Sequence, residues 1–384
     1  MIYISKPIFL TSEYLIASSM KDKNNVGYLI MNTGTPDEPS IPALRKYLKQ
    51  FLSDPDMLDY PSKRPKEYSK GIDVLRNGVA SIFRWVIVNL IVLPFRPAKI
   101  QSKYQGIWTK EGSPLLINTI KFVEKLKKYT NNNVEIGMRY GNPSIEKAIK
   151  KFKENGTDKL FLVSMFPQYA EATSGSTFTE VERILEKEDY SPHLIKINHY
   201  YNEEFYLKSL KKSIIESEEY KNSEYLLFSF HGLPVRQLKK ADTSESHCQK
   251  VDNCCEKDSE NNEFCYKSHC VKTVMKLSES LDPDKPFKIC YQSTFGPEQW
   301  IQPNIVNVLE DLAKKGIKKV SVACPSFTAD CLETLEEIAV ENHEDFEKNG
   351  GEYVKLIPSL NDDDDWVRGF AEYLSEKEEE YARK

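Results

Sequence analysis

Short apolar runs closed by turn residues recur along the whole chain, and amphipathic helical patterns fill the intervals between them. The runs are Val26–Met31, Val134–Met138, Lys159–Met165, the weaker Leu194–Tyr201, then 225–230, 288–293, 318–324 and Tyr353–Ile357. Each is five to eight residues long, as strands buried on both faces are. Between them, Ile41, Leu44, Tyr47, Leu48 and Phe51 share one helical face. Leu116, Ile120, Val123 and Leu126 recur at helical spacing behind a Ser113-Pro114 start. A charged helix is predicted near 203–217. A terminal helix is predicted over Trp366–Tyr373, with the aspartates 362–365 at its amino end, where negative charge is favourable. Strands alternating with helices predict parallel sheets built from βαβ units. One half opens on an apolar strand that runs into Gly34-Thr35-Pro36, the other on one that runs into Gly232-Leu233-Pro234. Two similar doubly wound α/β domains are expected.

The residues with chemical reach sit where these strands end. Arg139 and Tyr140 close one strand, and Pro167, Gln168 and Tyr169 follow another. His231 follows the run Tyr225–Phe230, and Pro325 to Glu333 follow a fourth strand. In parallel sheets all of these converge on one edge, where α/β folds bind ligands. A histidine and a carboxylate facing each other there can move protons or hold a divalent metal, which makes His231 and Glu333 the candidates. Asp330-x-x-Glu333 also fits a capping box, in which Glu333 merely closes a helix start. Cys331 beside it is a candidate soft ligand or simply packed.

The totals narrow the classes. The 384 residues carry a net charge of −5 with no polybasic stretch, which argues against nucleic-acid binding. No strand is followed by Gly-x-Gly-x-x-Gly or Gly-x-x-x-x-Gly-Lys, so a nucleotide site is unsupported. The first 25 residues lack a basic segment followed by a continuous apolar one, so no signal peptide is read there, and Met20 is an alternative start. Trp85–Pro94 is apolar but too short to span a membrane. A helix buried under a domain is its simplest reading; an apolar lip against a membrane or a greasy ligand is the other.

Three runs, Phe228–Arg236, Tyr291–Pro303 and Pro325–Ile338, resemble ferrochelatase in content, order and spacing. So do Met31–Pro36, Leu44–Pro55, Ile107–Leu115, Arg139–Ser144, Phe166–Ser176 and Ile357–Asp362, and the resemblance covers roughly residues 26–375. It implies two Rossmann-like domains of the class II chelatase kind with a porphyrin cleft between them. The implied activity is a lyase reaction of haem biosynthesis, insertion of Fe²⁺ as substrate into protoporphyrin IX to give protohaem. Coproporphyrin or another tetrapyrrole is the alternative substrate, and a non-catalytic porphyrin carrier the alternative from another class; a carrier needs neither His231 nor Glu333. The resemblance makes His231 the residue that takes pyrrole protons or contacts the metal, and Glu333 its partner across the cleft. It places Met31, Arg139, Tyr140 and Tyr169 along the macrocycle, where Arg139 or nearby hydroxyls can meet propionates. Thr294 stands where many relatives carry arginine. The expected divisions are an extension, 1–25, and a first domain, 26–190, with the lip near 82–95. A second domain, 191–348, follows with its cysteine insertion, and a terminal strand and helix, 349–384, pack back on the first. The expected location is cytoplasmic, with peripheral membrane contact through 82–95.

Between His231 and the next strand lies the insertion, 247–270. Cys248, Cys254, Cys255, Cys265 and Cys270 stand among Asp, Glu, Lys and Asn, which cannot be core packing. Four thiolates can hold [2Fe–2S] or zinc, and a redox-labile loop is the plain alternative. Which four bind is open; Cys254 and Cys255 are adjacent, so one of them is the expected spare.

Overall fold

The computed structural model describes residues 25–57, 85–294 and 298–383. The extension before residue 25, the start of the lip at 82–84, and Phe295, Gly296 and Pro297 of the Tyr291–Pro303 run lie outside the described residues.

All eight expected strands form: β1 (Val26–Thr35), β2 (Asn133–Gly141), β3 (Lys159–Ser164), β4 (His193–Ile197), β5 (Tyr225–His231), β6 (Phe287–Gln292), β7 (Lys319–Ala323) and β8 (Tyr353–Leu356). They make two sheets of the same topology, in the orders β2-β1-β3-β4 and β6-β5-β7-β8. Every pairing is parallel. In this order the connections reverse direction between β1 and β3, and again between β5 and β7, which opens a crevice at the carboxyl end of each sheet. The apolar runs are buried because helices cover both sheet faces; Leu29, Ile30, Leu227 and Phe228 are fully enclosed.

One expectation about the terminus is corrected. β8 does not return to the first half; it pairs with β7 and extends the second sheet. The helix after it, Asp364–Ala382, is what packs back, laying Trp366 and Phe370 on Phe122 of the helix Pro114–Leu126. Asp363 caps that helix, accepting from the N–H groups of Asp365 and Trp366 at 3.0 Å each.

The apolar segment is helical but not buried. Ile87–Val92 winds as a π-helix and runs into the helix Leu93–Ile107. Val88 and Leu93 turn inward onto Tyr47, Leu48 and Tyr140, whereas Trp85, Leu90, Ile91 and Phe95 are 58–66% exposed. Among the described residues no helix is long and apolar enough to cross a membrane.

Candidate active site

The strand ends meet in space. Thr328 Oγ1, in the loop after β7, donates to the Met165 carbonyl after β3 at 2.8 Å. Tyr206 Oη donates to Pro325 O at 2.6 Å. The carboxyl edges of the two sheets therefore face each other, and His231 and the Pro325–Glu333 loop lie at that meeting.

His231 is the last residue of β5, paired in register with Gln292 of β6. Its Nδ1 stands 2.6 Å from the carbonyl of Gly232. A carbonyl only accepts, so Nδ1 carries the hydrogen and Nε2 keeps the lone pair of the neutral ring. The His231 backbone is pinned on both sides: the N–H reaches Ser326 Oγ at 3.4 Å, and the carbonyl accepts from Tyr266 Oη at 3.0 Å. Gly232 is required by closeness, because a Cβ there would lie 2.7 Å from the Gln292 carbonyl oxygen.

Glu333 is half-buried at the start of a π-helix, Glu333–Asn342. The capping box is not formed: Asp330 instead accepts from Thr334 Oγ1 (3.0 Å), Asn361 Nδ2 (2.8 Å) and the Ser359 N–H (3.3 Å). Glu333 is thus not explained as a cap. Its carboxylate lies beside Cys331 and the buried phenol of Tyr47, both kept protonated by burial and by that carboxylate.

A second carboxylate, Glu337, went unrecognised in the sequence. It accepts from the Ser293 N–H at 2.7 Å, from Ser293 Oγ and from Gln292 Nε2 at 3.2 Å. Gln292 Nε2 also donates to the Glu333 carbonyl at 2.7 Å, tying the π-helix to the strand beside His231. Burial raises the Glu337 carboxyl above the usual range, while its bonds from Ser293 and the charge of His231 pull it back; Glu333 adds to the rise. The three groups are thus within one electrostatic neighbourhood. The signal was the spacing Glu333, Glu337, Glu341, four apart along one helix. In a π-helix, with its i→i+5 bonds, such residues stay near one line. Glu341 at the far end pairs with Lys103.

The proposed macrocycle contacts fare unequally. Arg139 does not point to an open propionate site: its guanidinium bonds Asp54 Oδ2 (2.6 Å) and Ser176 Oγ (2.7 Å) and approaches Glu180 (3.8 Å). Tyr140 Oη donates to the same Asp54 oxygen at 2.6 Å, as does Ser176 Oγ at 2.5 Å. Tyr140 and Met31 are 2% and 0% exposed, so neither offers surface to a ring in this structure. Tyr169 keeps accessible surface and donates from Oη to Glu171 at 2.9 Å.

Asp56 adjoins this network. Burial, then Asp54 and Glu171, push its carboxyl up to about 6 against the pull of Lys240 and Arg139. A carboxyl raised in the folded state stabilises the fold below its ordinary value, about 3.9, and loses that contribution as pH rises through 6. Asp56→Asn is therefore expected to raise the melting temperature relative to wild type at pH 8 and to leave it nearly unchanged at pH 4. Calorimetry at the two pH values checks this; an equal difference at both would contradict it.

The insertion is ordered around its cysteines. Asp242 accepts from the N–H groups of His247 (2.9 Å) and Cys248 (2.8 Å), and Asn262 Nδ2 donates to the Cys254 carbonyl at 2.9 Å. Cys254 Sγ and Cys255 Sγ stand 3.8 Å apart, and Cys255 shares a thiol hydrogen with Cys265. That bond, helped by the N–H groups of Ser268 and Lys267, lowers the Cys265 thiol against the effect of its burial. Cys248 is held up at about 11 by burial and then by Cys265 and Cys254. Cys248, Cys254 and Cys265 line a cavity of about 10 Å³. Cys270 is fully buried beside Tyr266. Among the described residues no three His, Cys, Asp or Glu side chains already stand in metal-binding geometry.

Two parallel-sheet α/β halves, with a histidine and two half-buried carboxylates where their carboxyl edges meet, define an α/β protein with a polar cleft between two sheets. The family model named Ferrochelatase matches residues 25–378. A curated Ferrochelatase of Coxiella burnetii (strain Dugway 5J108-111) is 40% identical over 356 residues, covering 92% of this chain and 94% of its own. One from Actinobacillus pleuropneumoniae serotype 7 (strain AP76) is 36% identical over 361 residues, covering 92% and 99%. One from Bdellovibrio bacteriovorus is 34% identical over 351 residues, covering 91% and 98%. The chain belongs to the ferrochelatase family. Insertion of a metal ion into a porphyrin, in haem synthesis, is the activity that membership carries.

Proposed function

We propose that His231, Glu337 and Glu333 carry this insertion, with Fe²⁺ and protoporphyrin IX as substrates and protohaem as product. The observation that carries the reading is the tautomer of His231, whose Nδ1 is committed to Gly232 O while Nε2 keeps its lone pair. Metallation removes two N–H protons from a neutral ring, and a positioned imidazole can take them near neutral pH. Glu337 and Glu333 then pass protons along the π-helix or hold the incoming cation. Tyr169 serves as a ring contact. Arg139, Tyr140 and Met31 act from behind, through Asp54 and the β1 core, rather than by touching propionates. Anaerobic assays of Fe²⁺ insertion into protoporphyrin and coproporphyrin test the reading. Porphyrin binding without insertion of any metal would leave a carrier and sink it.

The exposed face of Trp85, Leu90, Ile91 and Phe95 supports peripheral membrane contact of a cytoplasmic enzyme, with Lys99 following it in the chain. In flotation with anionic vesicles, Leu90→Ser/Phe95→Ser is expected to cut the bound fraction at least five-fold. Equal flotation would remove the lip from the account.

Our reading of the insertion is that the thiols of Cys248, Cys254, Cys255 and Cys265 would have to draw together to hold a [2Fe–2S] cluster, since no three of them already stand in metal-binding geometry. Two thiolates about 2.3 Å from one tetrahedral metal stand about 3.8 Å apart, the separation of Cys254 and Cys255. When bound, the cluster would crosslink the insertion. Anaerobically purified protein is expected to be brown, to lose that absorbance in Cys265→Ser, and to keep it in Cys270→Ser. A colourless preparation free of iron would refute the cluster.

A further inference from the structure

The insertion reaches into the active site through the first turn of one helix. Cys265 is the N-cap residue of the helix Tyr266–Ser278, and Tyr266 is its first residue. Tyr266, 6% exposed, donates from Oη to the carbonyl of His231 at 3.0 Å. One turn on, His269 is fully buried and stacks on Tyr201 with centroids 4.0 Å apart. Its Nδ1 accepts the N–H of Tyr169 at 3.1 Å, which commits Nε2 to donate to the Glu263 carbonyl at 2.7 Å. Phe264 meets the Tyr169 ring edge-on at 5.1 Å. The residues flanking Cys265 thus hold both the proposed base and the proposed ring contact, 35 and 100 positions away in the chain.

We propose that Tyr266 and His269 are positioning residues for metal insertion, Tyr266 for His231 and His269 for Tyr169, and that they couple the thiol site to the reaction. Neither touches substrate. Each fixes the backbone of a residue that does, and a reacting group displaced by about 1 Å loses up to a hundred-fold in rate. The assignment rests on the site reading above for His231 and Tyr169, and its thiol half rests on the cluster reading. The fold supplies the direction of coupling: whatever gathers the thiols around Cys265 also sets the start of this helix.

The test uses the full chain, purified anaerobically. Tyr266→Phe, Cys265→Ser and the double variant are compared for kcat, for KM toward porphyrin and Fe²⁺, and for iron and sulfide content. Tyr266→Phe is expected to lower kcat about ten-fold, with porphyrin KM within two-fold and iron content unchanged. The double variant should be no slower than the slower single one, because both act through one tether. Wild-type kcat in Tyr266→Phe, or losses that multiply in the double variant, would overturn the coupling. A second pair guards against misfolding of the first. His269→Leu should weaken porphyrin binding about ten-fold by fluorescence quenching, and His269→Asn, whose Oδ1 can accept from Tyr169, should restore it to within about three-fold. Equal binding in both would overturn the role of His269. An iron-free wild type with slow Tyr266→Phe would refute the cluster alone; a brown Tyr266→Phe protein with full kcat would refute the positioning alone.

Discussion

His231→Ala is expected to lower kcat for ferrous iron insertion by about a thousand-fold, the middle of the range for loss of a positioned general base. Porphyrin binding should change less than three-fold. The reason is the proposed division of labour on the ring: Nδ1 is committed to the Gly232 carbonyl, which leaves Nε2 to take the proton. Glu337 is half-buried and tied down by Ser293 and Gln292, so it is not free to move into the place of the missing imidazole. The backbone contacts of His231, from Ser326 and to Tyr266, survive the substitution, so the fold should survive as well. Steady-state kinetics under anaerobic conditions, with circular dichroism as a folding control, provide the check. A variant that keeps a tenth or more of the wild-type rate would remove His231 from the chemistry.

The largest expected effect on stability lies in the first half. Asp54→Ala should destabilise the protein by about 3–5 kcal/mol, the cost of stranding one partner of a buried ion pair. Asp54 has a side chain 1% exposed and accepts from Arg139, Tyr140 and Ser176. Without it, a guanidinium 16% exposed keeps Glu180 at 3.8 Å as its remaining carboxylate. Asp54→Ala/Arg139→Leu should recover about half of the loss, because the stranded charge is gone. Thermal melts of the three proteins test this: a drop of roughly 5–10 °C for the single variant is expected. A single variant within 2 °C of wild type would show that the network is not what holds this edge together.

The sheets were readable because their strands are buried on both faces, so each apolar run announces itself and each turn cluster marks a carboxyl end. His231 was readable for the same reason. What failed was whatever depended on winding or on partners distant in sequence. The segment Trp85–Pro94 reads as uniformly apolar, and only its placement over Tyr47 and Tyr140 decides that Leu90 and Phe95 face out. Arg139 reads as a free cation because its partner Asp54 lies 85 residues earlier, in the Leu-Ser-Asp-Pro turn. Glu337 was hidden by treating Glu333 as the end of a motif; π winding brings the next carboxylate into the same row. Spacing alone could not show that Cys270 is fully buried beside Tyr266, on a helix whose N-cap is Cys265.

The position of the ring is the most direct test of the central claim, that insertion occurs where the carboxyl edges of the two sheets meet. A crystal structure of the protein with metal-free protoporphyrin IX measures it. The account predicts the macrocycle at the ends of β3 and β5, with His231 Nε2 turned toward the pyrrole nitrogens and Glu333 and Glu337 at the same end of the cleft. A ring bound with Nε2 facing away, or seated outside the cleft, would contradict it.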